Sequence, residues 1–382
     1  MPFRGMSVVE QREAFVRQAL EEGSNVRALC RAYGISPTTG YRWLGRYRAS
    51  GASGLRDRSR RPRRSPKATG AEVVKAVIEV RREHRCWGGR TIHHVLRRRG
   101  IEPLPHANTI TGILHRHGLI GAEETAKRRR FVRFERAVPN ELWQMDFKGH
   151  FATACGRCHP LTVIDDHSRY AVVLAACPDE RRRSVQAVLG ETFARYGLPE
   201  EILIDNGPPW GKDFEHRHTR LTAWLMRLGI EPTHGRPYHP QTRGKNERFN
   251  GTLAREAIAG RLFSDLAVVQ AWFDGWRQVY NHERPHQAIG NEPPASRYRP
   301  SPRAFPAELP AIEYGADCLV RRVQKDGRIS LGDRNLFVSS AFAGDPVGLR
   351  PSGRDGVFDV LYCRFVVGHL DLTAEAAPQM EA

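Results

Sequence analysis

No stretch of this chain stays apolar over the roughly 20 residues a membrane-crossing helix needs. No basic, then apolar, then small-residue leader opens it either, so neither a membrane protein nor an exported one is expected. Cysteine is sparse: seven residues, at 30, 86, 155, 158, 177, 318 and 363, form no framework of spaced pairs. An odd, scattered set points to a reducing cytosol rather than a disulfide scaffold. Cys155-Gly-Arg-Cys158 is the one close pair, and without a second pair or well-spaced histidines it reads as a hairpin turn, not as zinc ligands. His84, His93, His94, His115 and His117 have only Cys86 among them, so no zinc module is expected there.

Acidic residues are scarce in one region only. Residues 1–137 hold 30 Lys and Arg against 12 Asp and Glu, so the whole formal charge of +18 resides there, and the other 245 residues carry 30 of each sign. Charge segregated in this way asks for a polyanionic partner bound by the N-terminal third. The length of 382 residues and 40% hydrophobic content allow two to four domains with at least one sizeable core.

Residues 10–50 carry the pattern of a helix-turn-helix. Phe15, Ala19 and Leu20 mark a first helix, Val26, Leu29 and Cys30 a second, and Tyr33-Gly34-Ile35 a tight turn. Ser36 then caps a third helix with Pro37 at its first position and Trp43, Leu44 and Tyr47 on its apolar face. Thr38, Thr39 and Arg42 fall near the exposed start of that helix, where side chains reach base edges in the major groove. The tract that follows, with Arg56, Arg58, Arg60, Arg61, Arg63, Arg64 and Lys67 around Pro62 and Pro66, cannot build a core and suits a linker lying along phosphates. Helical patterns return at Ala71–Glu83, Thr91–Arg99 and Asn108–His117, the last two closed by Gly100 and Gly118, and read as a second helix-turn-helix. Lys127-Arg128-Arg129-Arg130 begins a second basic linker.

From Pro139 the composition is that of a globular core. Strands are predicted at Leu142–Lys148, Leu161–Asp165, Tyr170–Ala175, Glu201–Ile204 and Ile230–Thr233, with helices at Arg182–Tyr196, Leu221–Leu228, Gly244–Ala259 and Leu266–Tyr280. A three-strand meander followed by alternating helix and strand is the order of an RNase H-like α/β fold. Beyond the Pro-rich residues 293–310, short strands with turns at Asp326-Gly327 and Asp355-Gly356 predict a small β-barrel. The expected fold class is therefore multidomain: all-α helix-turn-helix modules, a central α/β core and a C-terminal barrel. Its boundaries are 1–54 and 68–120 for the modules, 55–67 and 121–138 for linkers, 139–300 for the core and 311–375 for the barrel.

Three acids stand in contexts that suit a hard cation: Asp146 in Trp143-Gln144-Met145-Asp146, Asp205 in Ile204-Asp205-Asn206-Gly207, and Glu247 in Gly244-Lys245-Asn246-Glu247-Arg248-Phe249. The first two lie on or at the end of predicted strands and the third on a helix. These segments, with Arg236-Pro237-Tyr238-His239-Pro240-Gln241 and Tyr280-Asn281-His282-Glu283-Arg284-Pro285-His286, resemble a bacterial insertion-sequence transposase of the DDE integrase superfamily over nearly the whole chain. The 41 residues between Asp205 and Glu247 exceed the commoner family spacing, an excess placed in Trp210–Arg220.

The resemblance implies two Mg²⁺ ions about 4 Å apart, with Mn²⁺ a possible substitute. Asp146 would bridge them, Asp205 would complete one site and Glu247 the other. It also implies hydrolysis at the element's ends, then attack on target DNA by the freed 3′-OH, without a covalent protein–DNA intermediate. His239, Arg243, Lys245 and Arg248 are expected to face phosphates near the scissile bond. Asp165 and Asp166 read as a hairpin turn, and Trp143 as packing beneath the site. The implied partners are double-stranded DNA, both terminal repeats and target, and at least one further copy of the chain. Two alternatives remain open at this point: a catalytically silent DNA-binding regulator, and a nuclease with the same core that never joins strands.

Overall fold

The computed structural model describes residues 6–59, 68–120, 135–211, 218–235 and 244–373. By its contacts the chain divides into Met1–Ala68 and Thr69–Ala382.

The first unit is built from α1 (Val8–Ala19), α2 (Val26–Ala32) and α3 (Pro37–Ser50). Side chains satisfy the amides that each first turn leaves unpaired. Ser7 and Glu10 form a reciprocal capping box, Asn25 accepts from the Arg27 and Ala28 amides at 3.1 Å, and Ser36 accepts from the Thr39 amide at 3.2 Å. Gly34 turns the chain between α2 and α3 at φ +63°, a conformation that favours glycine. A Cβ on Gly40 would collide with Cys30 Sγ and the Phe15 ring, so α3 lies close against both other helices. Phe15, Val16, Cys30, Trp43, Leu44 and Leu55 form the resulting core.

A second helical group opens the larger unit: α4 (Ala71–Glu83), α5 (Gly89–Arg98) and α6 (Ala107–Arg116). Gly100 and Gly118, at φ +73° and +66°, end the last two as the pattern predicts. Val77, Ile92, Leu96, Ile110 and Leu114 pack between the three helices.

The central sheet contains β1 (Leu142–Phe147), β2 (Phe151–Thr153), β3 (Gly156–Asp165), β4 (Ala171–Cys177), β5 (Glu201–Ile204) and β6 (Glu231–His234). Its order is β2-β3-β1-β5-β6, with β4 also pairing β3. The β1, β3 and β4 pairs are antiparallel, while β5 joins β1 and β6 joins β5 in parallel, the mixed pairing of an RNase H-like core. Alternate strand residues serve opposite faces. Trp143, Val163, Ile202 and Ile204 pack on α7 (Arg182–Tyr196) and α8 (Arg220–Arg227), while Ile164 and Leu174 pack on α9 (Gly244–Leu253) and α10 (Leu266–His282).

Helix α10 also covers the outer edge of β4. Asn281 exchanges hydrogen bonds with both Ala171 N and O, Arg277 donates to Val172 O, and Gln270 bonds Leu174 O and Ala176 N. Side chains thus fill a strand edge that would otherwise be open to pairing. The three-residue β2 was not predicted, being too short to show a period. Ala154 and Cys155 turn between β2 and β3, and Cys158 is buried on β3 opposite Phe151.

The C-terminal strands differ from the predicted barrel. β7 (Leu319–Arg322), β10 (Pro346–Pro351), β11 (Val357–Tyr362) and β12 (Phe365–Asp371) form an open sheet of order β12-β11-β10-β7, and β8 (Arg328–Leu331) pairs only with β9 (Arg334–Phe337). Among the described residues no closed barrel forms. Arg321 Nε donates to Ser330 O at 3.1 Å and Arg334 Nη1 to Leu372 O at 2.8 Å, side-chain links between the hairpin and the open sheet. The hairpin instead lays Ile329 and Leu336 on Val347, Leu349 and Val360, in a core that α8 joins through Ala223 and Met226.

Candidate active site

Asp146 and Asp205 come abreast because of strand register. In the parallel β1–β5 pair Gln144 lies opposite Leu203, and the two acids stand two residues further along on each side. Neighbouring strands lie roughly 4.8 Å apart, and a step of two returns to the same face. That face is the one α9 covers, and α9 brings Glu247 in its first turn. A cavity of about 100 Å³ is lined by Gln144, Met145, Asp146, Leu203, Asp205, Asn246 and Glu247, so all three predicted acids share one opening. Asp146 and Asp205 are half-buried and Glu247 is exposed. Trp143 points the other way, fully buried with its ring centroid 6.1 Å from that of Phe193.

The surrounding polar groups hold the acids in place. Asn250 Nδ2 donates to Asp146 Oδ2 and the Gly207 amide to Asp205 Oδ1, both at 3.0 Å. Asp165 closes the β3–β4 turn: its Oδ1 accepts from Ser168 N at 2.7 Å and its Oδ2 from Asn140 N at 2.7 Å. Burial raises the Asp165 carboxyl above its ordinary range, against these hydrogen bonds, which lower it.

Lys245 departs from expectation. Its ammonium turns inward and pairs with the buried Asp166 carboxylate, leaving the side chain 13% exposed, so in this conformation it does not face phosphates. Burial pushes it down to about 8, with the Asp166 hydrogen bond opposing. Arg248 is exposed on α9. On α3, Thr38 and Arg42 are exposed, while Thr39 is half-buried with its Oγ1 2.9 Å from Ser36 Oγ. Arg60, Arg61, Arg63, Arg64, His239 and Arg243 lie outside the described residues.

Comparison with known proteins bears on this arrangement. The family described as Integrase core domain matches residues 136–240 and again 228–294. Helix-turn-helix domain matches residues 11–63, Homeodomain-like domain 39–114, and IS481 family transposase, C-terminal domain, 318–378. These matches together support an insertion-sequence transposase of the integrase superfamily. It is similar to the 39.2 kDa protein of insertion element IS476 from Xanthomonas euvesicatoria, at 28% identity over 57% of this chain and 62% of that one. It is also similar to the 31.7 kDa protein of insertion element IS407 from Burkholderia multivorans, at 29% identity over 57% and 78%. The chain thus spans less than two thirds of the first relative's length. A chain of a simian T-cell lymphotropic virus intasome covers 80% of it, with 99% of that chain matched, at 16% identity and a TM-score of 0.38.

The two helix-turn-helix-type matches fall on α1 to α6, the helices predicted to form such modules. No helix among the described residues is long and apolar enough to cross a membrane. Sequence reasoning missed several residues around the acids. Asn246 Oδ1 accepts from Thr162 Oγ1 at 3.2 Å, and Asn250 holds Asp146. Their positions one before and three after Glu247, on the same helical face, were the available signal.

Whether the cavity suits a cation can be judged from its donors. Three carboxylates line it, and Gln144 Oε1, Asn206 Oδ1 and Asn250 Oδ1 nearby are buried acceptors without a hydrogen-bond partner among the described residues. An all-oxygen set of this kind fits Mg²⁺ or Mn²⁺. Among the described residues no group of three or more His, Cys, Asp or Glu is placed to hold one ion.

Proposed function

We propose that this transposase binds the terminal inverted repeats of its insertion sequence, cuts at the element's ends by metal-assisted hydrolysis and joins the freed 3′-OH to target DNA. The observation carrying this reading is the cavity shared by Asp146, Asp205 and Glu247. Asp146 would serve two ions, with Asp205 completing one and Glu247 the other. Two Mg²⁺, or Mn²⁺ in their place, would supply Lewis acidity and neutralise charge at the attacking and leaving oxygens of the scissile phosphate. The chain's own part is to hold these carboxylates ready: Asn250 fixes one oxygen of Asp146, and the Gly207 amide one oxygen of Asp205.

Recognition is assigned to α3, with Thr38, Thr39 and Arg42 at base edges. Arg60, Arg61, Arg63 and Arg64 would lie along phosphates, and His239, Arg243 and Arg248 near the scissile bond. The boundaries 1–54, 68–120, 139–300 and 311–375 are kept as the working division of labour. Each chain carries one such triad, and joining two DNA ends in one event asks for at least a dimer.

The test is incubation of the full chain and Mg²⁺ with a duplex bearing the repeats that flank its gene. Nicked and strand-transferred products, both lost with EDTA, support the proposal. Nicks without joining would leave a nuclease, and binding without product a regulator.

A further inference from the structure

Asp166 is fully buried at the end of β3, and three separate segments reach it. Gln144 Nε2 donates to its Oδ1 at 2.8 Å, the Arg136 amide donates to its Oδ2 at 2.8 Å, and Lys245 Nζ pairs with Oδ1 while lying 3.3 Å from the Asp166 carbonyl oxygen. Gln144 stands two residues before Asp146 on β1, and Lys245 two residues before Glu247 on α9. One carboxylate therefore ties the strand that carries one acid to the first turn of the helix that carries another.

The remaining grip on α9 is apolar through Phe249 and Leu253, with hydrogen bonds from the neutral side chains of Thr162 to Asn246 and of Asn250 to Asp146 beside it. Apolar contact is non-directional and leaves a helix free to rotate or slide by a fraction of a turn. Charged hydrogen bonds are directional, and a buried ion pair contributes little net stability while it can specify register.

We infer that Asp166 and Lys245 are positioning residues, a buried clasp that sets the rotation of α9 against β1 and so delivers Glu247 to the side of Asp146. This rests on the metal-site reading above. Supporting residues of this kind change metal affinity by roughly 10–100-fold when removed.

Charge alone would give a different result. Lys245→Met removes a cation beside the site and by electrostatics should tighten a divalent ion, whereas Asp166→Asn removes an anion and should loosen it. Loss of position makes both variants loosen it.

The experiment measures Mn²⁺ binding to the full chain, without DNA, by electron paramagnetic resonance of the free ion. The clasp predicts that Lys245→Met and Asp166→Asn each weaken binding at least tenfold, that the double variant is no weaker than the worse single one, and that Lys245→Arg restores most of the affinity. Shifts of opposite sign, or affinities within twofold of the parent, overturn it. So does a loss of duplex affinity confined to Lys245→Met with Mn²⁺ binding intact, which would make Lys245 a phosphate contact. If a single variant fails to fold by circular dichroism, the double variant, which leaves no lone buried charge, takes its place, and parent-like Mn²⁺ affinity in it overturns the clasp. A parent that takes up no Mn²⁺, or an Asp205→Asn variant that binds it equally well, refutes the metal-site reading itself. A clasp that fails alone shows normal behaviour in both of those proteins.

Discussion

Asp205→Asn changes almost nothing except charge. The carboxylate accepts from the Gly207 amide through Oδ1 at 3.0 Å, and the amide oxygen of Asn can accept the same bond. Asp205 is half-buried at the mouth of the cavity, so no buried group loses its partner and stability should stay within about 0.5 kcal/mol of the parent. The cost falls on the reaction. An ion deprived of one of its carboxylates loses charge stabilisation worth several kcal/mol, and about 4 kcal/mol corresponds to roughly a 10³-fold slower step. The assay follows nicked and joined product on a labelled repeat-bearing duplex, with duplex binding and thermal unfolding measured on the same preparations. Both products should fall on the order of 10³-fold while binding and unfolding stay unchanged. A folded variant that keeps more than about a tenth of the parent rate would refute the catalytic assignment of the cavity. Duplex binding lost in step with activity would refute the separation of recognition from chemistry.

Arg42→Ala removes an exposed guanidinium from α3. It should weaken repeat binding by about 1–3 kcal/mol and relax preference at one base position, read by competition with single-base variants of the repeat; uniform weakening across sequences would make Arg42 a phosphate contact. Asn281→Leu strips the bonds to Ala171 N and O and leaves two strand-edge groups unpaired. At about 1–3 kcal/mol for each, the denaturation midpoint of the larger unit should fall clearly, and an unchanged midpoint would show that water replaces the side chain. His286 gives an acid-side prediction. Burial, with Arg284 and Arg169 nearby, pushes it down to about 3, and its Nε2 has no hydrogen-bond partner among the described residues. Below the ordinary histidine pKa of about 6.5 the unfolded chain takes up a proton that the folded chain refuses, so stability falls as pH drops from 6.5 toward 3. The loss by pH 5 should be about 1–2 kcal/mol and should shrink in His286→Leu, measured by denaturant titration at pH 7 and pH 5.

Much of the architecture could be read from residue order because it depends on local chemistry. Ser36, Pro37 and Gly34 announce the start of α3 and the turn before it, and the structure shows the cap, the first-turn proline and the positive φ. Gly100 and Gly118 end their helices for the same local reason. Where local chemistry is silent the reading fell short. β2 has three residues and no period, and whether β7 to β12 close into a barrel depends on which edges meet. The pairing of Lys245 with Asp166 was not foreseen, because its spacing from Glu247 says nothing of a carboxylate distant in the chain.

Helix caps, strand runs, the segregation of charge into residues 1–137 and the choice of three candidate acids could be read from residue order alone. It took the assembled fold to pair β5 in parallel with β1 in the register that sets Asp205 beside Asp146, and to dock α9 on the same face with Glu247 toward them. That fold alone also turned Lys245 from solvent onto Asp166. Caps and periods arise between residues a few positions apart, whereas register and docking come from burying side chains against partners distant in the chain, which no local window contains.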